Sequence, residues 1–117
     1  MNNDINDVLD RLSKSTFRNS FHLKEKDFVY IEDKGMIKIK EHAYDFVNKR
    51  LKGYPIFDDG RQTPMRGHPV FIAQHATGCC CRGCLYKWHG ISRDRELTKN
   101  EINYIVELMM TWIKRQL

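Results

Sequence analysis

Between His75 and His89 the chain reads His75-Ala-Thr-Gly-Cys79-Cys80-Cys81-Arg82-Gly-Cys84-Leu-Tyr-Lys-Trp88-His89, which gathers all 4 of its cysteines into one short stretch. Zinc requires four soft or borderline donors converging on a point, and Cys81-Arg-Gly-Cys84 supplies two thiols at the two-residue spacing such sites favour. Cys80 offers a third sulfur, and His75 and His89 flank the pair. The candidate ligands are therefore His75, Cys80, Cys81, Cys84 and His89, as two Cys with two His or three Cys with one His. A single Cys-x-x-Cys is a moderate signal, and the flanking histidines strengthen it.

Two other chemistries compete for the same residues. On one regular helix Cys81, Cys84, Leu85 and Trp88 share a face, and free cysteine is among the most buried residue types, so the thiols can also be read as core. His89 then lies off the Cys84 direction, and joint ligation requires the helix to end at Trp88 or His89, where Gly90 is placed to close it. A redox reading has Cys81 activated by the helix N-terminus and Arg82. No βαβ pattern surrounds the motif, which argues against a thioredoxin-like module.

The elements that must position this cluster are helical. Ile5, Val8, Leu9 and Leu12 recur at helical spacing and predict a first helix ending near Lys14. Ser15 to His22 reads as a polar, basic connection. Lys24–Asp33 and the segment from Met36 predict helix, turn, helix, because Ile39, Ala43, Phe46, Val47 and Arg50 share one face and Gly53 stands where a C′ glycine would close it. A hairpin over the same residues is the alternative, since Phe28-Val29-Tyr30-Ile31 is strand-like. Residues 53–69 hold three glycines, three prolines and two aspartates without an apolar period, which predicts a long loop of the kind that carries function more often than not. Pro69 can open a short helix reaching about Ala76. Thr98-Lys-Asn-Glu101 is a capping box, and Ile102, Ile105, Val106, Met109, Trp112 and Ile113 predict a C-terminal helix over about Lys99–Arg115.

The fold class expected is mainly α, a small single-domain helical protein spanning residues 1–117 with a long central loop and a Cys/His cluster at 75–89. The 117 residues suit one domain. A formal charge of +5 and a pI near 9.1 are a mild basic excess, compatible with nucleic acid or another acidic partner. The polar N-terminus leads into no apolar run, so a cytoplasmic protein without a membrane segment is expected. In a reducing compartment clustered thiols favour metal, redox or core roles over disulfides.

The segment Thr63-Pro-Met-Arg-Gly-His-Pro-Val-Phe-Ile-Ala-Gln-His-Ala-Thr, followed by Cys80-Cys-Arg-Gly-Cys-Leu and Lys87-Trp-His-Gly-Ile, resembles a family of small bacterial proteins catalogued only as a domain of unknown function. Phe17-Arg, Phe21-His-Leu, Lys34-Gly, His42-Ala, Asp45-Phe and Trp112-Ile extend the similarity over nearly the whole chain. The resemblance implies that Pro64 to His89 belong together and assigns no activity. It also implies that the position of Cys79 need not be cysteine, which leaves Cys80, Cys81 and Cys84 as the preferred thiols.

Outside the cluster, His68 lies seven residues before His75, about 10 Å along a continuous helix, too far for one zinc. It is expected to contact a substrate, support the site, or cap the helix before Pro69. Arg61, Arg66, Gln62 and Thr63 make the long loop cationic and rich in donors suited to phosphate, and Gln74 joins them as a candidate contact. Phosphate-loop, nucleophile-elbow and His-Glu-x-x-His motifs are absent, and Met65 to Ile91 contains no Asp or Glu. Catalytic residues are therefore not identifiable. The leading function is a metal-binding module, with zinc the expected ion, that meets nucleic acid or another acidic partner, with Arg82, Lys87, Arg93 and Arg95 adding to a basic surface. The alternatives are a metal-dependent enzyme acting on a phosphate-containing or nucleic-acid substrate, and a metal-free protein with buried thiols.

Overall fold

The computed structural model describes residues 4–117, and within them seven helices and no strands. The reading of the polar N-terminus rests partly on residues 1–3, which lie outside that range. Helix α1 (Ile5–Ser13) starts where the Asp4 carboxylate accepts the Asn6 amide, and it buries Val8, Leu9 and Leu12 as their spacing requires. A single turn, α2 (Thr16–Asn19), follows under a Ser15 cap. Helices α3 (Glu25–Lys34) and α4 (Met36–Arg50) then meet at Gly35, whose φ of 83° suits glycine and turns the chain between them. The hairpin alternative therefore does not occur. Helix α4 ends at a Leu51 cap rather than at Gly53.

Helix α5 (Pro69–Ala76) has every residue buried, since it sits between α7, α4 and α2. Helix α6 (Arg82–His89) closes on Gly90 in the left-handed conformation. Helix α7 (Lys99–Gln116) begins with the expected reciprocal cap. The Thr98 hydroxyl accepts the Glu101 amide at 3.1 Å, and the Glu101 carboxylate accepts the Thr98 amide at 2.8 Å.

The core forms where α7 lies against α4 and α5. Ile39, Ala43 and Val47 from α4, Val70 and Ala73 from α5, and Ile105, Val106, Met109 and Ile113 from α7 are essentially solvent-free. Burial on α7 is broader than one stripe, because Leu108 and Met110 are also covered, while Trp112 is only half-buried. No helix among the described residues is long and apolar enough to cross a membrane.

Residues 53–68 contain no helix. Polar side chains hold this stretch in place. Thr63 Oγ1 donates to the Cys80 carbonyl at 2.7 Å, and Asp59 accepts the Gly83 amide at 3.1 Å and the Arg93 guanidinium at 2.6 Å. The contacts to Cys80 and Gly83 pin the loop to the two sides of the cysteine cluster.

Candidate metal centre

The Sγ atoms of Cys80, Cys81 and Cys84 all lie within 4.8 Å of one another. The local sequence explains the convergence. Gly78 takes φ +70° and brings the backbone so close to Trp88 that a Cβ there would sit 2.9 Å from the indole. The turn it makes swings residues 79–81 back toward the start of α6. Cys81 is the N-cap of that helix, its Sγ accepting the Cys84 amide at 3.3 Å. A thiol at the N-cap and another three residues on are thereby set on the same helix end, and Cys80 completes the trio from the preceding turn. Cys80 and Cys81 are buried and Cys84 is partly exposed, with all three unpaired as disulfides.

Arg18, from the one-turn helix α2, lies over the trio. Its guanidinium donates to Cys84 Sγ at 3.1 Å, to Cys80 Sγ at 3.6 Å and to the His75 carbonyl at 2.7 Å. It is buried, which for an arginine requires anionic or acceptor partners. Hydrogen bonds from the Cys80 and Cys81 thiols, reinforced by Arg18, pull the Cys84 thiol well below its ordinary value in spite of burial. Cys80 is driven the other way by its bonds to Cys81 and Cys84 and by burial. The arrangement is thus three sulfurs, with the Cys84 thiol biased toward its thiolate, covered by a fixed positive charge. Such a group could hold a metal ion.

Neither histidine joins it. His75 projects its Nε2 to the Pro64 carbonyl at 3.0 Å, and its ring stacks on Phe21. His89 uses both nitrogens elsewhere. Nε2 lies 2.8 Å from the Thr77 carbonyl and donates to it, and Nδ1 accepts from the Tyr104 hydroxyl at 3.0 Å. Burial above all pushes His89 down to about 4, so it is neutral in this position. The helix does end at His89, as joint ligation required, but the ring turns toward Thr77 and α7. Cys79 is the fully buried thiol, 3.7 Å from the Thr77 carbonyl, and burial raises it to about 12. It is core, as its surplus position suggested.

The other expected contacts are dispersed. His68 caps α5, its Nδ1 accepting the Val70 amide at 3.0 Å, and its Nε2 meets His42 Nδ1 at 3.0 Å. It is buried among Tyr30, Phe46 and Phe71. Gln74 is solvent-free, and its amide nitrogen donates to Thr63 Oγ1 and the Cys79 carbonyl, each at 3.2 Å. An inward-facing amide cannot meet a partner, so Gln74 braces the loop instead. Arg61 and Arg66 are exposed.

The basic surface is smaller than its sequence suggests. Arg82 is almost entirely buried, and its two terminal nitrogens reach five carbonyls, those of Leu51, Lys52, Gly53, Ser92 and Arg95, at 2.6 to 3.4 Å. It closes the C-terminal end of α4, where carbonyls lack helical partners. Arg93 pairs with Asp59 and Arg95 with Glu101. Asp59, of the acidic pair Asp58 and Asp59 in the long loop, does come to the start of α6. There it is occupied by Gly83, Gln62 and Arg93, and these contacts hold its pKa low.

Sequence reasoning missed Arg18. A lone arginine in a polar connection reads as solvated, and the only signal was its place in the Phe17-Arg pair of the resemblance.

No solved structure matches this chain. A family described as a domain of unknown function (DUF4186) matches residues 6–114, nearly all of the helical unit and the whole thiol centre, and the chain belongs to that family.

Proposed function

We propose that the protein is a zinc-binding module whose ion is held by Cys80, Cys81 and Cys84 under the Arg18 guanidinium. The observation that carries this reading is the convergence of three sulfurs within 4.8 Å on one helix end. Charge selects the class of ion. Three thiolates and one guanidinium leave two negative charges in a poorly solvated place, which a divalent cation neutralises and a monovalent one does not. Thiolate donors favour zinc over the hard cations.

Three protein donors leave a tetrahedral ion one position for a water or an exogenous ligand, a feature of exchangeable sites. That favours a metal-dependent enzyme as the second reading. A base would be needed beside the ion, and Asp59, the carboxylate that meets the start of α6, is committed to other partners. A binding role is therefore preferred. The reduced thiols suit a reducing compartment such as the cytoplasm. Contacts to nucleic acid would fall to the exposed Arg61, Arg66 and Lys87, because Arg82, Arg93 and Arg95 are engaged within the fold.

The test is metal content after purification, with cobalt substitution to display thiolate ligation in the visible spectrum. One zinc per chain is expected in the wild type and in Cys79→Ser and His89→Gln, and its loss in Cys84→Ser. A wild type that folds equally well with no metal, or equal metal loss from Cys79→Ser and Cys84→Ser, overturns the reading.

A further inference from the structure

On the side of the chain where the α2–α3 connection meets residues 65–67 there is a cavity of about 280 Å³. Three cations line it from two segments far apart in sequence, Lys24 and Lys26 at the start of α3 and Arg66 in the long loop. Among the described residues none of the three takes part in an ion pair. The one carboxylate in the wall, Asp27, is itself buried and accepts the Lys24 amide at 2.9 Å, so it belongs to the start of the helix. The cavity therefore has a net positive lining with no internal counter-charge beyond that carboxylate. Like charges gathered without partners repel one another, and an anion seated between them removes the cost.

The remaining wall is mixed, with Ser20, His22 and Gly67 beside the apolar Phe21, Met65 and Ile72. Phe21 is fixed by stacking on His75, with ring centroids 5.5 Å apart, and Met65 stands with 57% of its surface exposed at the rim. A cationic cluster beside an aromatic face recognises an anion that carries a flat, poorly solvated group. The volume lies near the lower end of the usual range for small-molecule sites, roughly 300–1,000 Å³, which fits a ligand of mononucleotide size.

We propose that this cavity binds a small phosphate monoester, with the phosphate dianion between Lys24, Lys26 and Arg66 and its flat substituent against Phe21 and Met65. Arginine can bind two phosphate oxygens at once, and the lysines act as point charges. The site draws no residue from the thiol trio. Its test reads the same whether or not the zinc assignment holds, provided the protein is folded.

Amide chemical shifts or calorimetry at low salt, with inorganic phosphate and adenosine monophosphate as separate probes, measure the binding. Saturable binding of both is expected. The nucleotide should bind about tenfold tighter, since stacking of one base contributes about 1–3 kcal/mol. Arg66→Ala combined with Lys24→Ala should weaken both probes about tenfold or more. These side chains are exposed, so circular dichroism should remain that of the wild type. Phe21→Leu should remove the preference for the nucleotide while leaving phosphate binding in place. A matched Lys38→Ala variant, on the outer face of α4, should bind as wild type. Absence of saturable binding to either probe at low salt, or equal affinity in the double variant, overturns the proposal. So does tighter binding of a single-stranded oligonucleotide lacking a terminal phosphate, with shifts centred on Arg61 and Lys87, which would assign these cations to a nucleic-acid surface.

Discussion

Arg82 offers the sharpest separation of a structural from a recognition role, because the same residue is a partner contact in one account and a buried brace in the other. Its side chain is 1% exposed, and its terminal nitrogens serve five backbone carbonyls drawn from the end of α4 and from residues 92 and 95. Truncation to Arg82→Ala removes the guanidinium donor from all five carbonyls, of which Lys52 keeps the Leu97 amide at 3.1 Å, and leaves a cavity where the stem lay. A hydrogen bond to a charged group contributes about 1.5–3 kcal/mol. Counting only the two bonds of 2.6 Å, to Ser92 and Arg95, the loss is about 3–6 kcal/mol, with the longer bonds partly replaced by water. A domain of this length has roughly 6–18 kcal/mol in all, so the variant should lose a substantial part of its stability and unfold where the total lies near the lower figure. Arg82→Lys keeps a charge but only one donor nitrogen, and it should fall between wild type and Ala. Urea unfolding followed by circular dichroism measures both. A change in stability below about 0.5 kcal/mol for Arg82→Ala would refute the brace. Loss of affinity for an acidic ligand at unchanged stability would return Arg82 to the partner surface.

Acidification should destabilise the fold. Burial holds His89 and His68 near 4 in the native state, against about 6.5 in an unfolded chain. Between those values the unfolded chain binds more protons, so stability is complete above about pH 6.5 and is lost as pH falls toward 4. For His89 alone the loss is about 3 kcal/mol; urea midpoints at pH 7 and pH 4.5 should show it, and His89→Gln should shrink the difference. Gly78→Ala places a methyl 2.9 Å from the Trp88 ring at a φ of +70°, which should cost about 2–5 kcal/mol from conformation and overpacking together; a neutral result in urea unfolding would contradict that close approach. Met109→Ala on the solvent-free face of α7 should cost about 2–5 kcal/mol, and more than Trp112→Ala, whose indole is only half-buried; the reverse order would place the core on the wrong side of the helix.

The helices were largely legible because their signals are local. Thr98 and Glu101 mark the start of α7 with two reciprocal bonds, Pro69 opens α5, and Gly90 closes α6, each decided by residues within a few positions. The thiol trio was legible for the same reason, since Cys80, Cys81 and Cys84 lie on one turn and a helix start. What could not be read was direction across the fold. His75 and His89 have ligand spacing in sequence, but each stands at a helix end and turns to a nearby carbonyl, Pro64 or Thr77. Arg18 and Arg82 were misplaced in opposite senses. One looked solvated and covers the sulfurs, and the other looked like part of a basic face and fills the interior. Arginine carries the same charge in both settings, and only the long-range arrangement of acceptors around it decides which it occupies.

That arrangement also bears on what an ion at the trio would do for the rest of the chain. Arg18 ties α2 to Cys80, Cys84 and the carbonyl at the end of α5. Thr63 ties the long loop to the Cys80 carbonyl, and Asp59 ties it to the amide of Gly83. The three sulfurs are thus the meeting point of α2, α5, α6 and a loop with no helix of its own. Loops lacking secondary structure must be ordered by such cross-links or remain costly in entropy. A divalent ion drawing the sulfurs together would fix Cys80 and the start of α6, and with them the anchors of Thr63 and Asp59. Its removal should therefore loosen residues 53–68 before it disturbs the distant contact of α4 with α7. The thiol centre is in this sense coupled to the loop that carries Arg61 and Arg66, and a ligand bound by that loop would act on a segment whose order such an ion would help to set.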